Sequence, residues 1–255
     1  QLYGIEFDRE IFSLACANML IHKDGKTNLK LLNSKEAVAG QFIKASKIDK
    51  VLMNPPFENK YGWDKIVLNV LDNVEPNSKC AFILPDKKLE KKKGFFNKAK
   101  KKHRLEMIIK LPENTFFNVG VTASIFVFTA GIPQNDGEIF AINIAEDGLE
   151  TIKNQGRQDV KNKWADIEAY WLDVIKKKVD SKYNTVQWLN PNEHLSWQEP
   201  IPPFEISMRD FNKTLMDFEM FKNGINKKEF SEDLLDKVLY QSEISTDDEN
   251  VIIKL

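Results

Sequence analysis

The stretch Lys50-Val51-Leu52-Met53-Asn54-Pro55-Pro56-Phe57 constrains the fold of this chain more than any other. Val51, Leu52 and Met53 form a short apolar run that stops at two prolines. Proline has no N–H to give a sheet ladder, so the run reads as a buried strand that ends there. Proline also fixes its own φ and keeps the residue before it extended. Asn54 and Pro55 therefore stand beyond the strand end, with side chain and carbonyls displayed. In open α/β sheets that carboxyl edge is where ligands sit. The Asn54 amide oxygen and the Pro55 carbonyl offer two acceptors for one amino group, and Phe57 adds a flat apolar face. Two such acceptors orient an amine's lone pair toward an electrophile and stabilise positive charge growing on nitrogen. The plain alternative is a turn that merely ends a strand, since Asn-Pro is common in turns.

Around this corner the hydrophobic pattern alternates between periods of two and 3.6 residues. Leu2–Phe7 reads as a strand, followed by a helix capped by Asp8 and carrying Ile11, Leu14, Ala15, Asn18 and Met19. Lys23-Asp24-Gly25-Lys26 turns the chain, Leu29–Leu32 is a second strand, and Ser34 is the expected cap of a helix through Ala45. After the corner come a helix over Trp63–Val74, a strand over Cys80–Leu84, a basic helix over Lys87–Lys102 and a strand over Leu105–Leu111. Such alternation predicts an α/β fold with a doubly wound, mostly parallel sheet. Ala123–Thr129 follows Leu111 too closely for a helical crossover, so those two strands are expected to be antiparallel. Ile139–Ile144 reads as a further strand. Gln155-Gly156-Arg157-Gln158 reads as a polar loop, and Trp164, Ile167, Trp171, Val174 and Ile175 recur at helical spacing ahead of Lys176–Lys178. Pro191, Pro200, Pro202 and Pro203 mark an extended connector, after which Ser207 caps a helix bearing Met208, Phe211, Leu215 and Phe218; another runs from Ser231. We expect a domain over residues 1–145 and a helical region over 146–255 for subunit or DNA contact.

With 255 residues the chain can bury a full core, and no run approaches the roughly 18 apolar residues of a membrane helix. The two cysteines, Cys16 and Cys80, are not spaced as a metal pair, and the three histidines are scattered, so reduced packing thiols and no metal are expected. The eleven glycines contain no G-x-G pair, which excludes a phosphate loop of the Walker or dinucleotide kind. Charge is segregated although the net formal charge is only -1. Lys87–Arg104 holds nine lysines and one arginine against the single acid Glu90, balanced by an acidic stretch between Glu229 and Asn250. Lys87, Lys88, Lys91, Lys92 and Lys101 are candidate phosphate contacts on that basis. The interleaved Phe95 and Phe96 read as core anchors.

Asn54-Pro55-Pro56-Phe57 after an apolar strand resembles the catalytic tetrapeptide of amino-group methyltransferases that use S-adenosylmethionine, above all N6-adenine DNA methyltransferases. The order Tyr3-Gly4-Ile5-Glu6, Ala17-Asn18-Met19-Leu20-Ile21-His22, the tetrapeptide, Leu111-Pro112 with Phe116 and Phe117, then Thr122-Ala123-Ser124-Ile125 resembles the methyltransferase subunit of type I restriction-modification systems, over residues 1–180. The resemblance implies a Rossmann-like, S-adenosylmethionine-dependent methyltransferase fold. It implies that Asn54, Pro55, Pro56 and Phe57 are catalytic, and that Phe57 and Phe117 stack on a flipped adenine, with Phe116 an alternative to Phe117. It also implies that Glu6, Phe7, Asn33 and Asn54 hold the cofactor, Glu6 at its ribose. The implied partners are double-stranded DNA, a specificity subunit and a nuclease subunit, in the cytoplasm and without a membrane. Relatives carry a glycine-rich cofactor loop just before the position of Tyr3. Gln1 stands almost directly against the first strand, so we expect a fragment that lacks that loop, with the sheet incomplete at its N-terminal edge. Asn33 stands in Leu32-Asn33-Ser34 where relatives often have Gly-Asp, which removes a charge. Two other readings stay open: a protein glutamine-amide methyltransferase, and a non-catalytic nucleic-acid or subunit-binding module.

Overall fold

The computed structural model describes residues 1–22, 28–116, 120–135, 137–180, 182–201, 205–237, 243–246 and 251–254. The chain begins with β1 (Tyr3–Glu6), α1 (Arg9–Ile21) and β2 (Asn28–Leu31). The Asp8 carboxylate caps α1 as expected, accepting from the N–H groups of Glu10 and Ile11 at 2.8 and 3.0 Å. β1 and β2 pair in parallel with Glu6 opposite Leu31, so both strands end at one edge. No residue of α1 is buried, and Ile11 and Leu14 lie more than half exposed. The turn expected at Lys23–Lys26 lies outside the described residues.

Next come α2 (Ala37–Ala45), β3 (Lys50–Met53), a 3-10 turn (Asn59–Tyr61), α3 (Trp63–Asn73), β4 (Lys79–Pro85), α4 (Lys88–Lys91), α5 (Lys93–Ala99), β5 (Arg104–Lys110), β6 (Ala123–Thr129) and β7 (Ile139–Asn143). A hairpin of β8 (Glu150–Ile152) and β9 (Gly156–Gln158), then α6 (Trp164–Lys177) and β10 (Val186–Leu189), complete the first compact unit, Gln1–Glu199. The main sheet has the order β10-β7-β5-β6-β4-β3. β3 runs parallel to β4, and β5 to β7; β6 is antiparallel to both β4 and β5, and β10 to β7. Four strands thus share one direction. The β1–β2 pair is a separate sheet, and no described strand is hydrogen-bonded to the outer edge of β3, where Leu52 is 90% exposed.

Both faces of the main sheet are covered. On one, Trp63, Val67 and Leu71 of α3 and Phe95 and Phe96 of α5 pack against Phe82, Leu84, Phe126 and Phe128. On the other, Trp171 and Val174 of α6 meet Ile109, Phe140 and Ile142. The continuous apolar run Ile139–Ile142 is buried throughout because β7 has a packed layer on each side. The two cysteines are unpaired, and burial pushes the Cys80 thiol up to about 12, a packing role.

Four sequence expectations are corrected. Ser34 does not cap α2; the helix starts after Glu36, and Ser34 instead sits in the preceding turn, its carbonyl accepting from Asn69 of α3 at 2.9 Å. The basic helix is broken at Lys92 into α4 and α5, because Lys92 takes φ -123°, ψ 56°. Gly156–Gln158 is a strand paired with β8, not a loop. Residues 146–199 are not purely helical, since β10 joins the main sheet and the compact unit ends between Glu199 and Pro200 rather than at 145.

The second unit, Pro200–Leu255, contains α7 (Met208–Lys222), α8 (Lys227–Asp236) and an antiparallel pair, β11 (Glu243–Thr246) and β12 (Val251–Lys254). Ser207 caps α7 in a reciprocal capping box with Asp210. Pro202 and Pro203 of the expected connector lie outside the described residues. Among the described residues no helix is long and apolar enough to cross a membrane, and no group of acidic, His or Cys side chains gathers as a metal site.

Candidate active site

The corner stands at the carboxyl end of β3. Pro55 is buried, Asn54 and Pro56 are exposed, and Phe57 is half-buried. Among the described residues neither Asn54 nor the Pro55 carbonyl takes part in a turn or loop hydrogen bond, so both acceptors remain open to a ligand. The Phe57 ring meets Phe116 edge to face, with centroids 5.7 Å apart and planes at 85°. Phe116 thus lies at the corner from the far side of the loop that follows β5. Phe117 lies outside the described residues. After the corner, Gly62 at φ 68° makes the left-handed turn that launches α3, a conformation glycine adopts without strain.

Of the four expected cofactor residues, Glu6, Phe7 and Asn33 lie at the edge of the β1–β2 pair, while Asn54 stands at the end of β3 in the main sheet. Glu6 Oε1 accepts from the N–H groups of Phe7 and Asp8 at 2.7 and 2.9 Å, which holds the carboxylate at the strand end with Oε2 in no hydrogen bond among the described residues. Phe7 beside it is 71% exposed. Asn33 is engaged locally: its Oδ1 accepts from Lys35 N–H at 3.1 Å and its Nδ2 donates to Glu36 at 2.9 Å. Its side chain therefore shapes the turn after β2.

The basic segment divides. Lys87, Lys91 and Lys101 are exposed, as a phosphate contact requires. Lys88 and Lys92 instead fold inward over the buried ring of Trp63, each Nζ 5.6 Å from its centroid. Lys92 pairs with Asp64 at 3.0 Å, and Lys88 Nζ donates to the Phe57 carbonyl at 2.6 Å. Burial, with Lys92 and Lys91 nearby, holds the Lys88 pKa below the ordinary lysine value. Glu90, the single acid of the segment, accepts from Leu195 N–H at 3.0 Å and Ser196 Oγ at 2.8 Å and so latches the chain after β10 onto α4.

Sequence reasoning missed Arg157. From β9 its guanidinium donates to the carbonyls of Asn114 at 3.0 Å and Leu149 at 3.3 Å and pairs with Asp147. It ties down the loop that carries Phe116. Beside it, a polar cavity of about 490 Å³ opens at the carboxyl ends of β5 and β7, lined by Lys110, Pro112, Asn114, Asn143 and Asp147 among others. Arg157 Nε is buried and has no hydrogen-bond partner among the described residues. An arginine in a polar stretch looks solvated in sequence, and only the pairing of β8 with β9 turns it inward.

The model of the N-6 DNA methylase family matches residues 1–70 and 65–218 of the chain. A curated relative, the type II restriction enzyme and methyltransferase RM.BcgI of Heyndrickxia coagulans, is 31% identical over 253 residues, covering 88% of this chain and 38% of its own length. The methyltransferase subunit of a type I restriction-modification system from Streptococcus thermophilus superposes with a TM-score of 0.55 at 17% identity, over 74% of this chain and 44% of that one. The M protein of the type I restriction enzyme EcoKI gives 0.52 at 18% identity, over 66% and 40%. The chain thus spans about two-fifths of the relatives it matches, and shares its fold with methyltransferases of known structure. The family match extends over most of the length and includes the corner, β1 and the loop after β5, so the chain belongs to the N-6 DNA methylase family.

Proposed function

We propose that this chain carries the target-base side of an S-adenosylmethionine-dependent adenine-N6 DNA methyltransferase working in a restriction-modification system. The observation that carries the proposal is the corner itself: Asn54 is exposed at the end of β3, the Pro55 carbonyl is unengaged, and the Phe57–Phe116 pair stands beside them. In this reading Asn54 Oδ1 and the Pro55 carbonyl accept the two N–H groups of an adenine extruded from the duplex. Pro56 keeps both acceptors in one geometry, and the lone pair of N6 is left directed at the methyl donor. Phe57 stacks on the base and Phe116, or Phe117, closes the other face. No side-chain base is needed, because the acceptors stabilise the cation formed on nitrogen before its proton leaves.

S-adenosylmethionine, when bound, supplies the methyl group on a sulfonium. The residues present fit its adenosine end: Glu6, with Oε2 uncommitted among the described residues, would hold the ribose hydroxyls, and the exposed Phe7 ring would offer a face to adenine. Asn33 would contribute through the turn it builds. Double-stranded DNA is the substrate, contacted by Lys87, Lys91 and Lys101, and the second unit is the proposed surface for a specificity subunit or nuclease. The higher sequence identity to RM.BcgI than to the type I subunits favours a second arrangement, in which nuclease and methyltransferase share one polypeptide.

The test is transfer of labelled methyl to unmethylated DNA by the full-length protein with its partners. Label is expected in N6-methyladenine, and Asn54→Ala is expected to lower kcat by roughly 10²–10³-fold. Cofactor binding without label in DNA would move the proposal to protein amide acceptors.

A further inference from the structure

One lysine of the basic segment is turned back onto the corner. Lys88 Nζ donates to the Phe57 carbonyl at 2.6 Å across 31 residues of sequence. The root of that side chain is fixed on both sides. Asp86 N–H donates to the Thr122 carbonyl and its carboxylate accepts from Ser124 Oγ, each at 2.9 Å, which pins the exit of β4 to the start of β6. Lys87 then takes φ 56°, ψ 9°, a left-handed conformation uncommon outside glycine, and this turn opens α4 with Lys88 facing the neighbouring strand end. The ammonium lies over Trp63, which is fully buried on α3 just past the corner.

The two prolines fix φ at 55 and 56 but leave ψ of Pro56 and both torsions of Phe57 to be set by something else. The Lys88 bond holds the carbonyl that reports those torsions. We propose that Lys88 is a positioning residue for the corner, fixing the plane of the Phe57 peptide and hence the attitude of its ring to the base, and is not a contact to DNA phosphate. The inference rests on the methyl-transfer reading and adds to it a residue outside the tetrapeptide.

The experiment uses the full-length protein with its partners and compares Lys88→Met, Lys88→Arg and, as an exposed control, Lys91→Met. Two quantities are measured: kcat and KM for methyl transfer to unmethylated plasmid DNA, and the salt dependence of binding to a mixed-sequence duplex. Lys88→Met is expected to lower kcat roughly 10–100-fold with KM and the log–log salt slope unchanged. Lys88→Arg, which keeps donors, restores most of kcat. Lys91→Met, which removes a proposed phosphate contact, shows the other pattern, a raised KM and a slope smaller by about 0.9. A smaller slope with intact kcat in Lys88→Met overturns the proposal in favour of a phosphate contact. Equal loss of kcat and of melting temperature in Lys88→Met and Lys88→Arg overturns it in favour of a purely structural role. If Lys88→Met does not fold, Lys88→Gln takes its place in the same comparison. A wild-type protein that methylates nothing fails the functional reading itself, whereas an active wild type matched by Lys88→Met fails only the tether.

Discussion

Lys87 is a residue whose backbone matters more than its charge. A left-handed lysine costs roughly 1 kcal/mol through its Cβ, a strain held in place by the Asp86 contacts on one side and α4 on the other. Replacement by glycine relieves that strain and adds freedom to the unfolded chain, two effects that nearly offset. A β-branched residue there has no such relief. Lys87→Val is therefore expected to be less stable than Lys87→Gly by about 1–2 kcal/mol in urea unfolding. The corner was legible in sequence because its information is local: two prolines after an apolar run dictate an ended strand and displayed acceptors. Lys88 and Arg157 were not, because their partners, Phe57 and Asn114, are 31 and 43 residues away. Nothing in a run of lysines distinguishes one that faces solvent from one that faces a carbonyl.

At the scale of elements, two helical glycines predict opposite outcomes for the same change. A Cβ on Gly40 of α2 would lie 2.6 Å from Asn73 Nδ2 and 2.7 Å from Asn69 Oδ1 on α3, while one on Gly94 of α5 meets nothing within 4 Å. Asn69 also donates to the carbonyls of Ser34 and Glu36, so the close approach of α2 and α3 sets the turn that holds Asn33. Gly40→Ala is expected to destabilise by about 1–3 kcal/mol and Gly94→Ala to stabilise by about 0.5–1 kcal/mol, measured as shifts in thermal unfolding. The expected strand–helix order was legible where periodicity was strong, as in the alternately buried Cys80, Phe82 and Leu84 of β4. It failed at Lys92 and at Gly156, where tertiary contacts rather than local pattern decide the backbone. The antiparallel β6 was readable because so few residues separate it from β5.

For the whole molecule, acid is the expected route to unfolding. His103 is 3% exposed; its Nδ1 accepts from Gly131 N–H at 3.2 Å, which leaves Nε2–H for Asp72 at 3.3 Å. Burial, opposed by Asp72, places its pKa below the ordinary 6.5. A depressed folded-state pKa means the stabilising contribution is complete above the unfolded value and is lost as pH falls below it. Glu106 repeats the pattern lower down: burial acts to raise it, but Lys79, Arg104 and Thr129 hold it at about 2, against an ordinary 4.5. Urea midpoints are thus expected to fall below pH 6.5 and to fall further below pH 4.5, with His103→Gln flattening the first limb alone. The outer edge of β3 bears on how rigidly the corner is held. Among the described residues β3 pairs only with β4, so its outward N–H and C=O groups and Leu52 are where a further strand would add to the sheet. The strand that leads into Asn54 is therefore braced from one side among the described strands, and whatever pairs with its other edge stiffens the corner.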